Sequence, residues 1–267
     1  MSSSGPLFFD YDGDGLLDLL VGGVDGGRGA LFRNLGGRFE DTTATSGLEL
    51  AGQTVSATAG DYDGDGWPDV FLAHWGVDAG SCHLFRNLGG TFACADAEAG
   101  ISAAVRRTVD HTFSANFVDL DGDGAEDLLV AADFGESSVW RNRGEGRFEP
   151  ADTGAITDEN GMGTAIGDYD GDGALAWFVS GIRDTDGTTE GSWGTSGNRL
   201  YRNDGAGAFT DSTDAAGVRD GAWGWAASFA DFDNDGWLDL IQANGWPQGS
   251  AQFRDTNARL SDQINSA

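Results

Sequence analysis

The sequence predicts an all-β fold, a β-propeller of about five four-stranded blades in one domain, the last blade incomplete. Three observations predict it. First, a phrase of the form D-x-D-x-D-G recurs five times, starting at Asp10, Asp61, Asp119, Asp168 and Asp231, at intervals of 51, 58, 49 and 63 residues. Propeller blades repeat every 40–50 residues or so. Second, another phrase recurs between the copies: LFRNLGGRF (31–39), LFRNLGGTF (84–92), VWRNRGEGRF (139–148) and LYRNDGAGAF (200–209). Third, short apolar runs flank every Asp phrase, and no segment before the last dozen residues has helical period.

Each unit supplies four strands in order. The first precedes the Asp phrase, as in SATAG (56–60), SANFV (114–118) and AASFA (226–230). The second follows it, as in DLLVGG (18–23), DVFLA (69–73) and DLLVAA (127–132). The third is the Arg-Asn phrase; a Gly-bearing turn and a Phe then open the fourth, making a hairpin. The blades fall at about 5–50, 53–100, 111–156, 161–218 and 223–267. QFRDT (252–256) is a poor copy of the third strand, so the last blade is short, with a helix expected at 257–265.

Composition narrows the partners. The formal charge is -29, and all 15 basic residues are Arg. Such a chain does not bind the nucleic-acid backbone by charge, and an anionic membrane repels it. No apolar run reaches the roughly 18 residues that span a bilayer. The start, MSSSGPLFFDYDGDG, has neither a basic n-region nor a long apolar h-region. The chain therefore stays inside the cell or begins after a processing site. Of the 44 acids, 19 sit at fixed places in the five copies, so acidity here is more than a device for solubility.

Those places spell D-x-D-x-D-G-x-x-D. The side chains at positions 1, 3, 5 and 9, with the backbone carbonyl at position 7, make a set of hard oxygens suited to calcium. The predicted ligands are Asp10, Asp12, Asp14, Leu16 and Asp18; Asp61, Asp63, Asp65, Trp67 and Asp69; Asp119, Asp121, Asp123, Ala125 and Asp127; Asp168, Asp170, Asp172 and Ala174; and Asp231, Asp233, Asp235, Trp237 and Asp239. The fourth copy has Ala176 at position 9, so four loops are complete and a fifth is weaker. An EF-hand requires Glu at position 12. Val21, Leu72, Val130, Val179 and Gln242 stand there, and the loop runs into a strand.

The D-x-D-x-D-G-x-x-D loop between two strands resembles the FG-GAP or VCBS-type repeat of integrin α-subunit propellers. LFRNLGGRFEDTTATSGL (31–48), ENGMGTAIGDYDGDG (159–173) and WGWAASFADFDNDGWLDLIQANG (223–245) resemble the cartilage acidic protein and ASPIC/UnbV-associated group. The resemblance implies that the calcium loops gather on one face. The loops joining strands two to three (about 23–29, 74–82, 133–138, 181–198, 244–250) and four to one (about 43–54, 95–112, 150–161, 212–223) gather on the other, where partners bind.

The candidate ligand-binding residues on that second face are His74, Trp75, Arg106, Arg107, Asp110, His111, Arg183, Trp193, Trp223 and Trp246. Arg and Trp are favoured anchors of binding sites. For Trp75, Trp193 and Trp246 a binding role and a core role both stay open, whereas Trp225 reads as core. Asp110 and His111 could form an acid–base pair, against which a structural role for His111 weighs more. The Arg-Asn pairs (Arg33, Asn34; Arg86, Asn87; Arg141, Asn142; Arg202, Asn203) recur, which argues for structure: Asn for the turn, Arg for an acid of a neighbouring blade. Cys82 and Cys94 are symmetric about the hairpin turn at 88 and are expected to be bonded. Nucleotide-binding, zinc and nucleophile-elbow motifs are missing.

Two functions fit. One is a secreted, calcium-stabilised module that binds a protein, glycan or small-molecule ligand. The other is a calcium-stabilised biosynthetic enzyme, a cyclase or lyase, with a Trp/His/Arg-lined pocket opposite the calcium loops.

Overall fold

The structure, a computed structural model, describes residues 5–23, 27–50, 54–78, 81–101, 109–144, 146–151, 154–183 and 194–245. The expected helix at 257–265 and the candidates Arg106, Arg107, Trp193 and Trp246 lie outside these residues. The chain separates into two compact units, Met1–Val130 with Ser138–Asp152, and Ala131–Ser137 with Thr153–Ala267.

The fold is all-β and propeller-like, and the first unit opens with a four-stranded antiparallel sheet of β1 (Leu7–Phe9), β2 (Asp18–Val21), β3 (Ala30–Asn34) and β4 (Phe39–Asp41), in chain order. Next come β5 (Thr54–Gly60), β6 (Asp69–Asp78), β7 (Leu84–Asn87) and β8 (Phe92–Cys94). The third set is β9 (Val109–Val118), β10 (Asp127–Ala132), β11 (Ser138–Asn142) and β12 (Phe148–Pro150). Phe9, Leu20 and Leu31 of the first sheet pack on Val70, Leu72 and Phe85 of the second. Phe71 and Leu84, on the other face of the second, pack on Leu128, Val130 and Trp140 of the third. Period-two alternation therefore puts a buried residue on each side of a middle blade.

The second unit holds β13 (Gly161–Gly167), β14 (Ala176–Gly181), β15 (Arg199–Asn203) and β16 (Phe209–Asp211) in the same order. After them come β17 (Gly224–Ala230) and β18 (Asp239–Asn244), paired with each other. Ala165, Phe178 and Leu200 pack against Ala227, Phe229 and Leu240. Strand β14 is buried along its whole length, so AWFVSG is a continuous apolar run and does not alternate. At Gly163 an added Cβ would meet the Ala226 Cα at 2.4 Å, so only glycine lets β13 and β17 approach this closely.

Two features depart from expectation. Segments 74–82 and 95–112, expected as loops, are partly strand, because β6 runs on to Asp78 and pairs there with β9, Trp75 opposite His111. This joins the second and third blades into one sheet. Among the described residues, three one-turn helices also follow fourth strands: α1 (Thr43–Ser46), α2 (Asp96–Ala99) and α3 (Thr213–Ala216). One turn is too short to show a period. Its signal is the left-handed Gly that ends each (Gly47, Gly100, Gly217) followed by Leu48, Ile101 or Val218.

The disulfide is present, with Cα atoms 5.9 Å apart, but its geometric basis differs. Cys94 pairs in register with Phe85, and the turn is centred past Leu88, so Cys82 lies before β7 and not opposite Cys94.

Candidate metal centres

Each Asp phrase is the loop between the first and second strands of its blade. All five have the same backbone course. Position 6 is left-handed in every copy, with φ of 83° at Gly15, 90° at Gly66, 88° at Gly124, 88° at Gly173 and 92° at Gly236. Position 4 is left-handed too, and the one non-Gly there, Asn234, takes φ 62°, a region that Asn tolerates better than most residues.

The first Asp organises the loop. Asp10 accepts the amides of Gly13 (2.8 Å) and Asp14 (3.2 Å) on Oδ1 and of Gly15 (2.8 Å) on Oδ2. Asp61, Asp119, Asp168 and Asp231 accept the equivalent position-6 amide at 2.9–3.0 Å. The ninth Asp ties the loop to the third strand. Asp69 accepts the Tyr62 amide at 3.2 Å and the Asn87 amide at 2.7 Å; Asp18 and Asp127 do the same with Tyr11 and Asn34, and with Leu120 and Asn142. In the fifth loop Asp239 accepts the Phe232 amide at 2.9 Å. Ala176 cannot make this tie in the fourth loop.

Among the described residues, carboxylate oxygens converge within 4.8 Å of one another in groups that include Asp10, Asp12 and Asp18; Asp61, Asp63 and Asp69; Asp119, Asp121 and Asp123; and Asp168, Asp170 and Asp172. Burial, together with the charges of Asp63 and Asp65, pushes the Asp69 carboxyl up to about 7 despite its amide bonds. Burial likewise raises Asp18 and Asp127. Crowded hard oxygens that resist ionisation by themselves are a donor set that fits a divalent, oxygen-preferring cation. Position 7 contributes its amide to the position-5 carboxylate: Leu16 to Asp14 (3.0 Å), Trp67 to Asp65 (3.0 Å), Ala125 to Asp123 (2.9 Å), Ala174 to Asp172 (2.8 Å) and Trp237 to Asp235 (2.8 Å). Asp233 accepts the Asp235 amide at 3.1 Å.

The repeated Arg serves its own blade's loop and not a neighbour's. The third strand ends beside the start of the second, which brings its Arg level with the loop. Arg33 bridges Asp12 (2.6 Å) and Asp14 (3.0 Å), and Arg86 bridges Asp63 (2.6 Å) and Asp65 (2.8 Å). Arg202 spans Asp170 (2.7 Å) and Asp172, and Arg141 spans Asp127 (2.7 Å) and Asp121 (3.3 Å). The cross-blade partner is Asn. Asn87 Nδ2 donates to the Tyr11 carbonyl of the preceding blade at 2.8 Å, and Asn142 Nδ2 to the Tyr62 carbonyl at 2.7 Å. Its Oδ1 meanwhile accepts turn amides, as Asn87 does from Gly89 and Gly90. The Trp67 ring lies against Gly13, and the Trp237 ring against Gly171, each on the preceding blade's Asp loop.

The candidate ligand residues divide. His74 and Asp110 are 1% and 3% exposed and sit on β6 and β9, within the core. Asp110 does not pair with His111: neighbours on a strand point to opposite faces. Its Oδ2 meets His83 Nε2 at 3.1 Å, and His83 Nδ1 donates to the Leu72 carbonyl at 2.8 Å. His74 Nε2 donates to the Cys82 carbonyl at 3.1 Å, and Nδ1 faces the Thr54 hydroxyl at 3.3 Å. His83 was not among the sequence candidates; its signal was an ionisable residue directly before the apolar Leu84–Phe85 start of a strand.

His111 and Trp75 remain half-buried, their ring centroids 6.4 Å apart. In the second unit Arg183 and Trp223 come close, since Ile182 bridges Trp223 and the Arg183 amide donates to the Ala222 carbonyl at 2.8 Å. Trp225 is half-buried, its indole N–H bonded to the Gly245 carbonyl.

Fold and loops define a repeat module of propeller blades, each with an acidic loop between its first two strands. The FG-GAP-like repeat model matches residues 10–72, 61–130, 119–179 and 184–241, and the chain belongs to that family. No curated protein matches it. Among solved structures, the V. cholerae biofilm matrix protein Bap1 is similar at 15% identity and TM-score 0.47, over 90% of this chain and 35% of that one. The Bacillus licheniformis rhamnogalacturonan lyase PL11 is similar at 16% identity and TM-score 0.49, over 91% and 47%. The chain therefore spans less than half the length of either structure. No helix of the described residues is long and apolar enough to cross a membrane.

Proposed function

We propose that the chain is a secreted calcium-binding module that engages a protein, glycan or small-molecule ligand through the blade ends opposite the Asp loops. The convergence of Asp10, Asp12 and Asp18, and of Asp61, Asp63 and Asp69, within 4.8 Å carries the calcium part. In each complete loop the side chains at positions 1, 3, 5 and 9 and the carbonyl at position 7 would hold the ion, which neutralises charge where the first two strands of a blade meet. Four such ions would bring the formal charge from -29 to -21. Calcium outside the cell is abundant enough for modules that bind at about 10⁻⁴–10⁻³ M.

A binding role suits the far ends better than catalysis does. His74 and Asp110, two of the three candidates with acid–base chemistry, are buried and bonded inside the core, and the third, His111, has lost Asp110 as its partner. Trp75 and His111 of the first unit, and Arg183 and Trp223 of the second, are half-buried at those ends. Calorimetric titration tests the calcium part. The chain is expected to take up several ions, and Asp63→Asn one fewer; a flat titration refutes it. A ligand screen by thermal shift at fixed calcium tests the far ends, where Arg183→Ala should weaken any hit.

A further inference from the structure

Arg141 differs from its three counterparts in which acids it bridges. Arg33, Arg86 and Arg202 bridge the acids at positions 3 and 5, with side chains 39%, 41% and 44% exposed. Arg141 is turned inward, 10% exposed, and places one nitrogen, NH1, on Asp127 at 2.7 Å and Asp121 at 3.3 Å, positions 9 and 3. In the first two loops the position-9 acid converges with positions 1 and 3, and among the described residues no Arg pairs with it, since Arg33 and Arg86 reach positions 3 and 5. In the third loop Asp119, Asp121 and Asp123 converge, and Arg141 holds the position-9 acid instead. Charge count does not separate the loops, since each has four carboxylates and one Arg. Placement does.

We propose that the Arg141 guanidinium stands in the third loop where the first two would hold a cation, so that this loop is closed by an internal ion pair and needs no calcium. The proposal rests on the calcium reading of the first two loops. A charge-assisted bond to a buried carboxylate is strong and directional, and a cation could reach Asp127 only by displacing it. The replacement is incomplete. Guanidinium donates along fixed directions, whereas calcium collects six to eight oxygens, and Asp121 Oδ1 is left shielded without a hydrogen-bond donor. The loop therefore keeps the oxygens to take an ion once Arg141 is removed. The complete sequence motif hides this, because the motif counts acids and the difference is the direction in which one Arg points.

Two measurements test it with calcium itself as the probe. Hydrogen–deuterium exchange of the wild-type chain, with and without calcium, should show new protection across 10–18 and 61–69 and little across 119–127. The third loop's half-saturation should lie at least about tenfold above the second's. Equilibrium dialysis should then find one more bound ion in Arg141→Gln than in wild type, and Asp121→Asn in that background should remove it. The exchange measurement stands even if Arg141→Gln fails to fold. Equal protection of the second and third loops at the same calcium overturns this inference and leaves the calcium reading intact. A wild-type chain that binds no calcium overturns both.

Discussion

His83 has an acceptor at each ring nitrogen, the Leu72 carbonyl at Nδ1 and the Asp110 carboxylate at Nε2, an arrangement that favours the imidazolium, which donates from both. Burial opposes that charge, but the Asp110 bond and charge outweigh it and hold His83 above its ordinary value. Asp96 adds to the effect through its charge. Burial, then the His83 charge, pushes His74 below its own ordinary value, so the second ring is the neutral neighbour. A raised His contributes stability that is full below its unfolded pKa of about 6.5 and is lost as pH rises through the folded value. The stability difference between wild type and His83→Gln, from urea unfolding between about pH 5.5 and about pH 9, should therefore shrink toward high pH. A difference that grows with pH contradicts the imidazolium. Acids rank in the same way. With calcium present, Asp65→Ala should lower the melting temperature more than Asp172→Ala, since the fourth loop already lacks its ninth-position Asp. Equal losses would mean that position 9 does not govern the loops.

Among the elements, the recurring turn is also the joint between blades. Asn34 and Asn87 make the same bonds within their own blades, to the Leu17 and Pro68 carbonyls and from the turn glycines. Only Asn87 also donates to the Tyr11 carbonyl of the blade before it, and it is fully buried. Asn87→Ala should destabilise by about 1–3 kcal/mol more than Asn34→Ala, the usual penalty for stranding a buried polar group. Chemical denaturation of the two variants decides it. The Cys82–Cys94 bond encloses a short loop, and its reduction should cost about 2–3 kcal/mol on the chain-entropy model. These elements show what the sequence carries and what it does not. Strand positions follow from the repeat because every unit writes its apolar runs at the same offset from an Asp phrase. The extension of β6 to pair with β9 does not follow, because HWGVD reads as a loop until a partner strand lies beside it. Asn holds the turn as its recurrence implies, but for a similar cause the sequence does not show that Arg stays within its own blade or that Asn also reaches the blade before it. Recurrence marks a residue as structural, but only the register of strands two and three shows which loop each side chain reaches.

At the scale of the whole molecule, one acidic phrase is placed at the same joint in every blade of a chain with formal charge -29. Self-repulsion of that size destabilises a compact state, and the loop arginines offset only part of it. The fold class and the loop residues were legible because both are written five times. The proposed ligand face was not. Its residues occur once each, and burial took His74 and Asp110 out of it. If calcium holds the blades, it stabilises the native state by about 2.7 kcal/mol per site when free ion is a hundred times the dissociation constant. The most direct measurement is thermal melting across a calcium titration, begun from chelated protein and repeated with magnesium. The expected result is a melting temperature that climbs with calcium, falls back on chelation and responds far less to magnesium. A melting curve that stays in place from chelator to saturating calcium would contradict calcium as the ion that holds this fold.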